Sequence, residues 1–331
     1  MWKYCSYSPL RISFAGGGTD IAPFVDEYGS SVVNATFDRG VMLNYREDRY
    51  PLEISSRDFF SSTVSGVHSE RRGMPGKLVD LFTEMGITKG SVLISSDVPP
   101  GSGLGSSSAL ILGALELIHT IRGEKVERDS LAEEAYRVER DFFKITLGLQ
   151  DPYAIAYGGF KSFNFDRNGI SSSMFDLNRD FIRKFETSLL LVYTGKTRQS
   201  SRILSDQVRK SHQKDPETIE KLAAIKKLAL EMKEAISRER YQEITSIINT
   251  GWEIKKSLGR DVTNDTVDGI IRAAMRNGAD AARLLGGGSQ GFVLLLSQDR
   301  IVELQKKMLN YSRFVVRVSF DSLGTRIIPH R

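Results

Sequence analysis

Cysteine is almost missing. The 331-residue chain carries one, Cys5, so no intrachain disulfide can form and an oxidising compartment is not required. No apolar run approaches the ~18 residues that a membrane-spanning helix needs. Residues 1–13 lack the basic start and long apolar core of a secretory signal. Together these absences point to the cytoplasm and to no membrane partner. Histidine is scarce too. His68, His119, His212 and His330 stand far apart, and none has the HxxxH or CxxC neighbour of a zinc site. Charge of one sign is also lacking. Against 46 Lys and Arg stand 41 Asp and Glu, a net charge of +5. The basic residues alternate with acids on helical stretches such as 221–240, and no basic stripe is interleaved with stacking aromatics. That pattern argues against nucleic acid and suits an acidic small-molecule ligand.

What is present is globular: 40% hydrophobic and 26% charged residues, in a length that corresponds to about two domains. Residues 10–15 read as a strand that runs into Gly16, Gly17 and Gly18, followed by Thr19 and Asp20. Residues 31–37 and 41–45 read as strands joined in a hairpin by Asp38, Arg39 and Gly40. A helix over 74–85 and a buried strand over 91–96 precede a glycine/serine run. After that run comes an apolar helix that begins at Ala109 and stops at Gly123. Ser130 and Glu133 form a capping-box pattern for a helix over 130–143, with Leu131, Ala135, Val138 and Phe142 facing inward. Residues 151–165 read as a short helix, a turn and a strand. Residue 188 opens a strand, and the chain is then mostly helical from 199 to 258. A helix over 265–277 and strands over 292–296 and 314–320, with a helix over 299–309 between them, complete the chain. Apolar patterning lapses over 166–187, which places the domain boundary there. The runs do not alternate evenly, so the class is α+β rather than a βαβ series.

The run Pro99, Pro100, Gly101, Ser102, Gly103, Leu104, Gly105, Ser106, Ser107, Ser108 carries the chemistry. Glycines let successive N–H groups point inward, and the first turn of the following helix has N–H groups without internal partners. A loop of this kind holds an anion. Three serine hydroxyls add donors to phosphate and oxygen ligands for Mg²⁺. Other phosphate and nucleophile motifs fail on spacing. No lysine follows the last glycine as in a P-loop, Gly105 follows Gly103 too closely for a dinucleotide fingerprint, and Ala109 stands where a serine-hydrolase elbow has glycine.

PPGSGLGSSSA closely resembles the second signature of the galactokinase, homoserine kinase, mevalonate kinase and phosphomevalonate kinase superfamily, the GHMP kinases. LRISFAGGGTD, residues 10–20, is similar to the first signature, and LLGGGSQGF, residues 284–292, to the third. The resemblance covers nearly the whole chain. It implies a two-domain fold: a ribosomal-protein-S5-like α/β domain over 1–175 and a ferredoxin-like α+β domain over 176–331. It also implies an ATP-dependent kinase whose nucleotide phosphates lie on residues 100–108, with Mg²⁺ as the metal.

Site residues follow from the same resemblance. The superfamily's metal-binding glutamate maps to Glu139 and its serine partner to Ser107, with Ser106 and Ser108 left open. From the pattern alone Glu139, on the edge of a helix stripe, is either a ligand or a surface glutamate that snorkels to water. Asp151 maps to the aspartate that takes or orients the proton of the attacking hydroxyl; it also fits the N-cap of a helix starting at Pro152. Arg11 maps to the basic residue beside that aspartate, and an arginine inside a strand calls for such a partner. Gly17, Gly18, Thr19 and Asp20 would meet the sugar, and Gly287 and Gly288 of the third signature would approach it from the second domain.

RISFAGGGTDI, QDPYAIAYGGFKSFNF and GWEIKKSL resemble the D-glycero-D-manno-heptose 7-phosphate kinases most. The implied reaction converts the heptose 7-phosphate and ATP to the 1,7-bisphosphate, for nucleotide-activated heptose and surface polysaccharide. A phosphorylated sugar needs a second anion site. Arg198 and Lys196 are the candidates, with Arg71 and Arg72 behind them. A kinase of another sugar, fucose-like or another hexose, and a non-catalytic ATP and sugar sensor are the alternatives. Monomer and homodimer are equally open.

Overall fold

The strand Ser30–Pro51 runs unbroken through residues 38–40, where the sequence suggests a hairpin turn. Both of its halves pair with the same neighbour, Tyr4–Ala15, and the register steps between Pro9–Gly40 and Leu10–Phe37. Asp38 and Arg39 are therefore a bulge in the ladder rather than a turn. Two bonds keep the chain extended: the Asp38 N–H donates to the Ser319 carbonyl at 2.8 Å, and the Gly40 N–H to the Asp97 carboxylate at 2.9 Å. Glycine is needed at 40 for close approach, since a β-carbon there would lie 2.5 Å from the Tyr7 ring.

The computed structural model describes residues 1–58, 60–66, 73–195 and 201–329. The first half of Ser30–Pro51 also pairs with Phe160–Asp166, and the second half with Lys89–Ser96. An eight-stranded sheet thus divides along this strand. Short strands Glu53–Ser56 and Ser61–Val64 extend one side and Gly169–Met174 the other. A second, antiparallel sheet orders Val315–Arg317, Leu189–Tyr193, Phe292–Leu296 and Ala281–Leu284. The chain then returns: Arg326–Ile328 pairs with Tyr4–Ala15. The last strand therefore belongs to the first sheet, although it lies within the 176–331 segment. The architecture is α+β. Phe14, Phe160, Phe185 and Phe320 join the two halves, with ring centroids 5.3–5.4 Å apart for Phe14–Phe160, Phe14–Phe185 and Phe160–Phe320.

Two helices decide the site. Ser106–Arg122 lies on Tyr4–Ala15 and Ser30–Pro51, with Ile111, Leu112, Leu115 and Ile118 fully buried. It opens after Gly105 and closes at Gly123, both left-handed, at φ +78° and +74°. The expected helix over 130–143 is two pieces, Arg128–Arg137 and a π-turn, Val138–Phe142. It starts two residues before Ser130, with Glu127 at the cap, so the capping-box pattern is not used. The π-turn closes with the Phe143 N–H on the Val138 carbonyl at 3.0 Å. That widened turn moves the inward face by one residue. Glu139 and Phe143 are buried where the helical spacing puts Val138 and Phe142.

Candidate active site

The loop between Lys89–Ser96 and Ser106–Arg122 turns on three left-handed glycines, Gly101, Gly103 and Gly105, at φ +72°, +79° and +78°. Its middle is pressed against a second loop from the other half of the molecule. A β-carbon at Gly103 would lie 2.5 Å from the Leu285 carbonyl, and one at Gly286 would lie 2.5 Å from Gly103 Cα. The Phe292 N–H donates to the Ser102 carbonyl at 3.1 Å, and the Arg11 N–H to the Leu104 carbonyl at 3.0 Å. Ser102 and Leu104 are thereby fully buried and shape the loop from behind. The first internal bond of the helix, from the Ala109 N–H to the Gly105 carbonyl at 2.9 Å, leaves the N–H groups of Ser106, Ser107 and Ser108 without intrahelical partners, and these serines line a cavity of about 190 Å³.

Beside the loop, against Gly105, a bidentate ion pair lines the same cavity. Arg11 Nε and Nη2 donate to Asp151 Oδ1 and Oδ2 at 2.7 and 2.8 Å, and Arg11 Nη1 to the Gly103 carbonyl at 2.7 Å. One side chain thus ties the loop to the aspartate. The helix carrying Asp151, Gln150–Tyr157, has Leu149 at its cap, so Asp151 serves Arg11 and does not cap the helix.

Two further carboxyls are buried in the wall. Ser107 Oγ donates to Glu139 Oε2 at 3.0 Å, while Glu139 Oε1 is buried without a partner. Burial pushes the Glu139 carboxyl up to about 8, against the hydrogen bonds of Ser108 and Ser107. An orphaned, buried carboxylate oxygen beside a serine hydroxyl is the half-built hard-oxygen set that Mg²⁺ takes, with phosphates completing it. Among the described residues no three His, Cys, Asp or Glu side chains gather into a metal site independent of a phosphate. Asp20 accepts from the Gly18 and Gln150 N–H groups, each at 2.9 Å, and burial raises its pKa.

Gly17, Gly18, Gly286 and Gly287 line the cavity with these groups. Five of the expected site residues do not line it: Ser102 and Leu104, buried behind the loop, and Pro100, Thr19 and Gly288. Pro100 and Gly101 are exposed, but only Gly101 reaches it; Pro100 lines an adjoining apolar pocket with Val41, Met74, Ile94 and Leu110. Thr19 holds the fold, with its hydroxyl 2.8 Å from the Gly16 carbonyl and 2.6 Å from Ser30 Oγ. Gly288, at φ +119°, packs behind the second loop on Val262. Arg198, Lys196, Arg71 and Arg72 lie outside the described residues.

The sequence reading missed two cations in the same wall. Lys255, from the helix Tyr241–Ser257, donates to the Gly286 carbonyl. Burial pulls it down to about 7, assisted by the charges of Arg283 and Arg11. Arg283, inside Ala281–Leu284, donates through Nη1 to the Phe14 carbonyl at 2.8 Å. Burial and then Arg11 bring it down to about 10. Both left a signal. Lys255 falls seven residues after Ile248 and three after Trp252, on that helix's buried stripe. Arg283 interrupts an apolar strand, as Arg11 does.

The model of the GHMP kinases N terminal domain matches residues 75–159, and that of the GHMP kinases C terminal domain matches 232–312, together half of the chain. A D-glycero-alpha-D-manno-heptose 7-phosphate kinase of Campylobacter jejuni is 28% identical over 96% of this chain and 97% of its own. A solved D-glycero-D-manno-heptose 1-phosphate kinase from Bacteroides thetaiotaomicron is 25% identical, with a TM-score of 0.78 over 99% of this chain and 100% of its own. The bifunctional fucokinase/GDP-fucose pyrophosphorylase of Arabidopsis thaliana is 23% identical over 94% of this chain, which spans 31% of that longer protein.

Proposed function

The chain belongs to the GHMP kinases, and from that premise we propose that it transfers the γ-phosphoryl of ATP to the anomeric hydroxyl of D-glycero-D-manno-heptose 7-phosphate, giving the 1,7-bisphosphate. The observation that carries the phosphoryl-transfer reading is the Arg11–Asp151 clamp, which lines the same cavity as Ser106 and packs against Gly105 at that helix's N-terminus. The heptose is supported by two relatives that align along the whole chain and are named for a heptose phosphate.

In this reading the N–H groups of residues 101–108 hold the ATP phosphates. The apolar pocket between Val41, Met74, Ile94 and Leu110 takes the base, since Ser106 and Ser107 border both spaces. Ser107 and Glu139 would hold Mg²⁺, which would offset the negative charge of the ATP phosphates. Asp20 keeps a free lone pair on each oxygen and accepts from sugar hydroxyls, with Gly17 and Gly18 beneath the ring. Asp151, its two oxygens fixed by Arg11, orients the anomeric hydroxyl and takes its proton. The hydroxyl oxygen forms the new bond to phosphorus as the bond to ADP breaks, and Arg11 faces the transferring group. Positioning and charge do the catalytic work, as phosphoryl transfer requires.

An ADP-release assay with MgATP and a panel of heptose 7-phosphate, the free heptose, fucose and galactose tests this. Turnover per unit KM on heptose 7-phosphate is expected to exceed that on fucose by about a hundredfold or more. Preference for fucose would replace the acceptor. ADP release with none of the sugars, while MgATP still binds, would make the protein a sensor.

A further inference from the structure

Among the described residues, two positive side chains in the cavity wall have no acid of their own. Arg283 is 5% exposed, its Nη1 is used by a backbone carbonyl, and its Nε has no partner. Lys255 likewise meets only the carbonyl of Gly286. Among the described residues neither takes part in an ion pair, whereas the charge of the third cation, Arg11, is matched by Asp151. Asp20 and Asp151 act on Lys255 from a distance, and both already hold other donors. A buried charge without a counter-charge is strongly destabilising. Arg283 bears that cost in full and the half-buried Lys255 in part, and an anion entering the cavity they share would remove it.

Their position says which anion. Lys255 and Arg283 line both the main cavity and a narrow recess beside Gly16 and Gly17. Ser106 and Ser107 line the main cavity and the apolar pocket on the other side of the loop. The two cations thus border Gly16 and Gly17, next to the sugar position of this reading, and the serines border the apolar pocket given to the base. We propose that Lys255 and Arg283 form a subsite for the phosphate ester of the acceptor, so that the substrate class is a sugar already carrying a phosphate group. A phosphate monoester brings a charge of −1.5 to −2 at pH 7, which two cations match, whereas a carboxylate would leave one unpaired. The inference rests on the reading of this site as a sugar kinase, and it places the second anion site on residues of the C-terminal half, Lys255 within GWEIKKSL and Arg283 just before the third signature.

The test uses the full chain saturated with the magnesium complex of a non-hydrolysable ATP analogue, so that the nucleotide end is filled, and inorganic phosphate as the probe. Calorimetry is expected to show phosphate binding that weakens about tenfold or more in Lys255→Met and in Arg283→Met and persists in Lys255→Arg. In the ADP-release assay the same Met variants raise KM for heptose 7-phosphate by about tenfold or more, with KM for ATP within about twofold. Without ligand, Lys255→Met is expected to melt at or above the wild-type temperature, because it removes an unpaired, half-buried charge. Wild-type protein alone supplies a further measurement. Lys255 is faced by Arg283 and Arg11 and, more weakly, by Asp20 and Asp151, and lies near 7 when the site is empty. At pH 8 phosphate binding should therefore take up close to one proton, measured by calorimetry in two buffers of different ionisation enthalpy.

Unchanged phosphate affinity in both Met variants, or no phosphate binding and no proton uptake in the wild type, would overturn the subsite even if heptose 7-phosphate is turned over. Phosphate binding that depends on both cations, with no heptose turnover, would keep the subsite and remove the heptose.

Discussion

A β-carbon at residue 148 would lie 2.0 Å from Oδ2 of Asp20, so Gly148 and Asp20 cannot both keep their places if the glycine gains a side chain. The same carboxylate is held by the N–H groups of Gly18 and Gln150, and the Leu149 N–H donates to the Asp20 carbonyl at 3.0 Å. Gly148→Ala is expected to push Asp20 out of the sugar position. KM for the acceptor should rise about tenfold or more, while KM for ATP changes little. Steady-state kinetics with each substrate varied in turn checks this, and equal effects on both would place Asp20 elsewhere.

Asp151→Asn keeps the shape but removes the proton acceptor and the charge opposite Arg11. Turnover should fall by about a hundredfold to ten-thousandfold with MgATP binding retained by calorimetry. Arg11→Lys keeps a charge but loses the paired donors that grip both oxygens of Asp151 and the third bond to the Gly103 carbonyl. It should also lower turnover. Near-normal turnover in Asp151→Asn would remove the aspartate from its role.

Glu139→Gln tests the metal position. The magnesium concentration for half-maximal activity should rise about tenfold or more. In metal-free protein the melting temperature should hold or increase, because a buried carboxyl with an orphaned oxygen is replaced by an amide that can donate. An unchanged magnesium requirement would exclude Glu139 as a ligand.

His119 joins helix Ser106–Arg122 to helix Arg128–Arg137. Its Nδ1 is 2.7 Å from Glu124 Oε2, and its Nε2 is 2.8 Å from Glu134 Oε2. Burial lowers the imidazole, but the bonds to the two glutamates outweigh it and leave the folded-state pKa above 6.5. A raised folded-state value means that the stabilisation is complete below 6.5 and disappears as pH rises through the folded value. The melting temperature of wild type minus that of His119→Gln should therefore be largest near pH 5.5 and shrink toward pH 8.5. A difference that grows with pH would contradict the charged-histidine bridge.

Much of the site was legible because its signals are local. Glycines at 101, 103 and 105 followed by an apolar helix declare an N-terminus that can hold an anion, whatever the rest of the chain does. Arg11 in a strand announces a partner by its cost of burial. Other features gave no local sign. A turn signal at residues 38–40 proved to be a bulge, because Ser319 and Asp97 supply bonds that keep the strand extended. Helical spacing put Val138 inward, but a π-turn puts Glu139 there.

By itself the sequence determined the elements that depend on backbone freedom and short-range periodicity: the phosphate-type loop, the helix behind it, the three glycine signatures and the α+β class. Which side chains share one cavity was decided only by the tertiary structure. Lys255 and Arg283 arrive from a helix and a strand far along the chain from Arg11. That neither forms an ion pair among the described residues is a property of the assembled wall, because the nearby carboxylates Asp20 and Asp151 are already held by other donors.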